Sequence, residues 1–318
     1  IIYGEFRDRK GELVNGIVQR FERGSIIVNL GRTDAALPER EQIQKERYRQ
    51  GDRVRAMILD IDPNSRGPQV ILTRSHPEFM RKLFELEVPE ISEGIVEIKS
   101  CAREPGERAK IAVYSNDPSV DPVGACVGIK GSRVQAVVSE LRGERVDIVP
   151  WTPDAPSFVA RALQPAQVVR VIVDEDEHSM EVVVADEQLS LAIGRRGQNV
   201  KLASKLSGWK IDVRSESVAE EEAKRARKQL ESIPEIGMAE VEFLFQEGYR
   251  SVKDVANALV EDLMAVEGLD AQRASLISLG AKDLYARFVD NDGYELEDER
   301  HVTDIDQLIL PQEIKDVL

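Results

Sequence analysis

The stretch VGIKGSRVQAV, residues 127–137, recurs in altered form as IGRRGQNVKLA, residues 193–203. Each copy runs on to a short apolar stretch around an aspartate, RVDIV at residues 145–149 and KIDV at residues 210–213. The offset is 66 residues between Gly128 and Gly194, and 65 between Asp147 and Asp212. One residue has been gained or lost within the intervening helix, the mark of a duplicated module. The shared centre is G-x-x-G: Gly128, Ile129, Lys130 and Gly131 in the first copy, Gly194, Arg195, Arg196 and Gly197 in the second. Two glycines let the backbone turn sharply and come into contact with another backbone. A helix opening at the second glycine presents free N–H groups that favour anions. Lys130, Arg195 and Arg196 add cationic side chains suited to phosphates.

These are the requirements of the KH clamp, which holds about four nucleotides of single strand by their backbone. One G-x-x-G is a weak signal; two in equivalent contexts with basic inserts are specific. Arg133, Gln198, Asn199 and Lys201 are expected to line the RNA track on the helices that follow. The patterns around each loop predict helix, two strands, short helix, clamp, helix and last strand, the order of the prokaryotic type of KH domain. The first unit is read as residues 76–151 and the second as 152–215. The linker WTPDAP, residues 151–156, is short enough that the two units should pack together.

Residues 1–75 read as five short strands, with a polar helix over 39–49 between the third and fourth. That is the OB-barrel pattern, and the step GDRVRAMI at residues 51–58 is similar to the S-one type of OB domain. OB domains bind single strands through basic grooves with stacked aromatics. Phe21 and Arg20 are the barrel's candidate contacts, with Tyr48 a second aromatic and Arg23, Arg32, Arg53, Arg55 and Arg74 further cations.

Two cysteines and three histidines in 318 residues, without a C-x-x-C, argue against a zinc site or a disulfide framework and fit a reducing cytoplasm. No catalytic triad, paired-carboxylate cleft or Walker motif is evident, so no enzyme activity and no cofactor are expected. The acidic run at residues 174–178 falls between two strand patterns and reads as a solvated hairpin loop. No apolar run approaches a membrane span. The net charge of −15 is concentrated in residues 216–318, with 25 acidic and 11 basic side chains. Residues 216–231 read as a charged linker helix. Residues 232–288 read as an acidic helix-hairpin-helix-like domain, whose glycine joints are flanked by Glu235, Glu240, Glu242, Glu267 and Asp270. That charge should repel nucleic acid and favour a protein partner. Residues 289–318 form an acidic tail without assignment. The chain opens at Ile1 rather than methionine and reads as a fragment or processed chain with a domain upstream. The expected fold is multidomain α+β: an OB β-barrel, two KH domains and a small all-α domain.

The barrel followed by two KH units, with DPVGACVG at residues 121–128, GERVDIV at 143–149, GRRGQNVKL at 194–202 and LSGW at 206–209, resembles the NusA family of bacterial transcription factors. The resemblance covers residues 1–215 well and 230–288 more loosely. It implies a non-enzymatic, monomeric RNA-binding factor that contacts the nascent transcript and modulates pausing, termination and antitermination. It further implies RNA polymerase as a partner, mainly through an N-terminal domain upstream of Ile1, and other transcription factors as partners of the acidic C-terminal third. A ribosome-associated or RNA-processing KH protein is the alternative.

Overall fold

In the computed structural model, residues 2–292 are described; most of the acidic tail expected at 289–318 lies outside them. The chain divides into two compact units, Ile1–Val213 and Arg214–Leu318.

The first unit opens with α1 (Ile2–Phe6) and a closed barrel of β1 (Leu13–Glu22), β2 (Ser25–Asn29), β3 (Asp34–Leu37), β4 (Arg53–Ile61) and β5 (Val70–Thr73), in the order β1-β2-β3-β5-β4. Alternation sets the faces: Val14, Gly16 and Val18 point inward on β1 while Asn15 and Ile17 face out. Gly16 lies where β1 crosses β2, and a Cβ there would sit 2.7 Å from the Asn29 carbonyl oxygen. The helix expected over 39–49 is not formed. A single 3-10 turn, Glu39–Glu41, is followed by irregular chain. Tertiary bonds override local propensity here. The Gln42 amide donates to the carbonyls of Gly24 and Leu37, Ile43 is buried in the core of the next domain, and Glu46 is drawn inward by Arg74.

The first KH domain follows: α2 (Pro77–Glu87), α3 (Pro89–Ser92), β6 (Val96–Glu104), β7 (Arg108–Ser115), α4 (Pro122–Val127), α5 (Ser132–Glu140) and β8 (Arg145–Pro150). Proline at the first turn of α2 and α4, behind the caps His76 and Asp121, fixes where each begins. β8 pairs parallel with β7 to complete a three-stranded sheet. The second domain repeats the order with α6 (Ala155–Ala162), β9 (Val168–Asp174), β10 (Ser179–Val184), α7 (Leu189–Ile193), α8 (Gln198–Ser207) and β11 (Lys210–Ser215). The acidic run 174–178 forms the β9–β10 turn.

Barrel and first KH domain are joined by buried charge. The Arg74 side chain, 2% exposed, makes a two-pronged bond to Glu46 at 2.7 and 2.5 Å and reaches Glu140 Oε1 at 3.0 Å. Arg103 and Glu144, both fully buried side chains, pair at 2.6 and 2.9 Å, and Arg103 also donates to the Arg74 carbonyl at 2.7 Å. Both guanidiniums lie over the Phe79 ring, at 5.2 and 5.9 Å. Burial opposes the Arg74 charge, but the Glu46 bonds outweigh it and raise its pKa.

The two KH domains share a core. Ala102, Ala112 and Val149 on the first sheet pack into the cluster that holds Val159, Leu202 and Leu206 of the second domain. Small side chains on that face let α8 approach β6 closely. Lys110, with its ammonium enclosed at this seam, donates to Asp147 at 2.9 Å and to the Gln164 carbonyl at 3.0 Å. The expected packing of the two units is therefore present. Burial pushes the thiol of Cys101 up to about 11 and that of Cys126 up to about 12, so both stay protonated at neutral pH.

The second unit is helical: α9 (Glu216–Glu231), α10 (Met238–Gln246), α11 (Val252–Asn257), α12 (Val260–Met264) and α13 (Ala271–Asp292). Its core contains Leu230, Leu244, Val255, Leu263 and Ile277. Two of the acids flanking the first glycine joint are structural: Glu240 pairs with Arg273 at 2.6 Å, and Glu242 with Arg227 at 2.8 Å.

Arg74→Met leaves Glu46 buried without its main partner. Such a change should lower the unfolding free energy in urea by about 3–5 kcal/mol. The double variant Glu46→Met/Arg74→Met removes the stranded charge and should be less destabilised than the single one. A double variant at least as unstable as Arg74→Met would show that the pair is not what costs.

Candidate nucleic-acid interface

Each clamp sits between a helix that ends and one that begins. α4 closes at Gly128, whose N–H donates to the Gly124 carbonyl at 2.9 Å; α7 closes at Gly194 in the same way on Ser190. The two loops then take the same path. Gly128 and Gly194 have φ 75°, Lys130 and Arg196 have φ 52° and 54°, and Gly131 and Gly197 have φ 76° and 70°. Their helices α5 and α8 begin at the next residue, so the first-turn N–H groups face the loop.

The two glycines of each clamp are needed for different reasons. A Cβ on Gly128 would stand 2.7 Å from Arg133 Cγ, and one on Gly194 would stand 2.8 Å from the backbone nitrogen of Asn199. The first glycine is thus packed against the following helix. A Cβ on Gly131 would meet only Val134 Cγ1 at 3.9 Å, and one on Gly197 nothing within 4 Å. The second glycine therefore leaves bare backbone open to solvent. Lys130 and Arg196 adopt a left-handed conformation that costs a non-glycine residue roughly 1–2 kcal/mol. Strain of this kind persists where the surroundings impose it and concentrates at functional sites. Ile129, Lys130, Arg195 and Arg196 are all exposed. Among the described residues, no carboxylate lies within ion-pair distance of Lys130, Arg195 or Arg196.

The helix residues expected beside the clamps divide. Asn199 is 1% exposed and turns inward, donating to the carbonyls of Leu163 at 2.9 Å and Ala192 at 3.0 Å. Arg133 stands at the equivalent position and donates to the Ala125 carbonyl at 2.7 Å and to Glu90 at 2.8 Å. Both pin the loop from beneath, which corrects the expectation that they line the RNA track. Gln198 and Lys201 both reach Glu104 of the first domain, at 2.8 and 3.3 Å. They bridge the two domains, although Lys201 stays 59% exposed. The Gln198 hydrogen bond, aided by the Lys201 ammonium against partial burial, holds the Glu104 carboxyl below its ordinary range.

On the barrel, Phe21 is 53% exposed at the end of β1, opposite Ile26, and Ile17 is 50% exposed on the other face of the strand, because a bulge between Val18 and Arg20 shifts the alternation. Arg20 is held by Glu22 at 2.5 Å and Asp34 at 3.2 Å. Two cations expected on the surface are not free: Arg74 is buried, and half-buried Arg55 bonds Asn15 and lies 3.6 Å from Glu140. The Tyr48 ring is taken on one side by Arg142, at 4.4 Å, and packs against the barrel core.

Family comparison accounts for most of the chain. Residues 7–72 match the S1 RNA binding domain, 74–151 the NusA-like first KH domain, 155–221 the NusA-like second KH domain, and 227–283 the SAM-like helix-hairpin-helix tandem. The transcription termination/antitermination protein NusA of Rickettsia prowazekii is 41% identical over 326 residues, covering 99% of this chain and 62% of that protein. The chain belongs to the NusA family. NusA proteins of Halalkalibacterium halodurans and Bacillus subtilis are 54% and 53% identical over 221 residues, covering 70% of this chain and 58% and 60% of theirs. The chain thus spans about three fifths of the length of these NusA relatives. Among the described residues no helix is long and apolar enough to cross a membrane.

Two measurements check this geometry. Gly197→Ala should cost about 1–2 kcal/mol for the left-handed backbone alone; Gly194→Ala should lower the thermal midpoint further, because its methyl also meets Asn199. Equal losses would show that the first glycine is not packed as described. Because the folded-state pKa of Glu104 is depressed, its stabilisation is present above the unfolded carboxyl value and is lost as pH falls through the folded one. The midpoint difference between the parent and Glu104→Gln should therefore be open at neutral pH and close in acid. A difference independent of pH would contradict the linkage.

Proposed function

We propose that this chain is the RNA-holding part of a transcription factor, gripping single-stranded nascent transcript on its two G-x-x-G loops and so modulating RNA polymerase pausing, termination and antitermination in the cytoplasm. The observation that carries the reading is the matched pair of loops. Each has an outward second glycine, a strained cationic residue before it, and a helix N-terminus behind it. A phosphodiester backbone can approach the bare glycine backbone, while Lys130, Arg195 and Arg196 supply charge.

The shared core and the Lys110–Gln164 bond across the seam hold both loops within one compact unit. A strand held at one clamp presents its neighbouring nucleotides to the other at high effective concentration, which raises affinity without new contacts. The exposed Phe21 ring gives the barrel a surface on which a base can stack. Polymerase and other transcription factors are the protein partners in this reading, the latter through the helical unit. The names of the relatives, termination/antitermination proteins, support the same role.

The test is fluorescence anisotropy of labelled single-stranded RNA with the full chain, Gly131→Asp/Gly197→Asp, and Gly131→Asn/Gly197→Asn. Both substituents tolerate left-handed backbone, so the pair separates charge from bulk. The aspartate variant should lose most binding with unchanged circular dichroism, and the asparagine variant should lose less. Parent-like binding by the aspartate variant would refute the clamps as the RNA site.

A further inference from the structure

Away from both clamps, four guanidinium groups open onto one concavity. Arg47 and Arg49 lie in the chain leading into β4, Arg53 opens β4, and Arg142 follows α5 of the first KH domain. With Asp52 they line a hollow of about 540 Å³ at the seam between barrel and KH domain. All four arginines are exposed. Many other cations of this unit are neutralised nearby: Arg9 by Glu12, Lys10 by Asp60, Arg20 by Glu22 and Asp34, Lys45 by Glu107. Among the described residues, none of the four in the hollow has a carboxylate within ion-pair distance. Asp52, the one acid there, already accepts the Arg49 backbone N–H at 2.7 Å.

The cluster is built, not incidental. Arg142 has a φ of 51° and is followed by Gly143 at 98°. Its Nη1 donates to the Arg47 carbonyl at 2.8 Å, and its guanidinium rests on the Tyr48 ring. The Tyr48 hydroxyl in turn donates to Glu46 at 2.8 Å, the partner of buried Arg74. The same buried network that joins barrel to KH domain therefore aims Arg142 at the other three. Like charges gathered in a concavity repel one another and focus a field that draws anions. Guanidinium forks match phosphate oxygens in pairs.

We propose that this hollow is a third RNA-binding site, one that takes phosphates of the transcript beyond the first clamp. The proposal rests on the reading that the clamps hold RNA. The helix that begins behind Gly131 ends at this site: Ser132 to Arg142 spans about 15 Å at 1.5 Å per residue. A strand leaving the first clamp needs only a few more nucleotides to reach it. RNA is favoured over an acidic protein because the hollow lies on the same compact unit as the clamps and has no apolar lining to seat side chains. With Arg142 over one side of the Tyr48 ring and the barrel core packed against it, the site reads backbone charge and not sequence.

The experiment compares the full chain with Arg47→Gln/Arg49→Gln/Arg53→Gln, leaving Arg142 in its packed position. Labelled single-stranded RNAs of about eight nucleotides, enough for two clamps, and about twice that length are titrated across a salt series. On the longer RNA the variant should bind more weakly, with a log K against log salt slope shallower by about 2, as expected for three lost phosphate contacts. On the shorter RNA the two proteins should agree, and their thermal midpoints should coincide. An unchanged slope on the longer RNA would overturn the site, as would equal losses on both lengths. So would a variant that keeps its RNA slope but loses binding to a labelled polyaspartate peptide. The two readings fail separately: an unchanged slope here leaves the clamps standing, and parent-like binding by Gly131→Asp/Gly197→Asp removes the clamps while a slope change here keeps this site.

Discussion

Two arginines buried around one phenylalanine lock the barrel onto the first KH domain. Arg74 ends the barrel, Arg103 ends the first KH hairpin, and Phe79 lies beneath both. Each guanidinium is matched by a carboxylate, Glu46 or Glu144, and the spare N–H groups find carbonyls of Arg55, Arg74, His76 and Glu140. Charges taken out of water are tolerable only when satisfied this completely. The geometry of one group thus dictates that of the next: Glu46 positions Tyr48, Tyr48 carries Arg142, and Glu140 and Glu144 fix the end of α5 whose start is a clamp.

The duplicated clamps show which parts of the module are obligatory. Backbone angles at both glycines and at the residue before the second one agree within a few degrees. The inward residue is Arg133 in one copy and Asn199 in the other, yet both bond carbonyls of the preceding helix. What the module keeps is the function of that position, a donor tucked beneath the loop, and the identity of the donor is free to vary. The residues that face solvent, Lys130, Arg195 and Arg196, share charge and a strained or turning backbone.

Much of this was legible in the sequence because its signals are local. Glycine pairs, proline-led helix starts such as Pro122, and alternating apolar residues on β1 are read within one turn or one strand. The family resemblance was confirmed by domain matches over residues 7–72, 74–151 and 155–221 and by the identity to NusA relatives. What was misread depends on partners distant in the chain. The polar run 39–49 has helical composition, but Gln42, Ile43 and Glu46 are claimed by other elements. Arg74 looked like a surface cation and is buried, because residue type alone does not tell which arginine meets Glu46. Asn199 looked like a ligand and is a brace for the same reason. The arginine hollow was invisible until Arg142, far along the chain, was brought over Tyr48.

The central claim is that RNA backbone meets protein backbone at the second glycine of each clamp. The most direct measurement is amide chemical-shift mapping of the isotopically labelled full chain during titration with single-stranded RNA. The account predicts the largest shifts at the amides of Lys130, Gly131 and Ser132 and of Arg196, Gly197 and Gln198, saturating together. Shifts confined to the barrel or the helical unit, with these six amides unmoved, would contradict it.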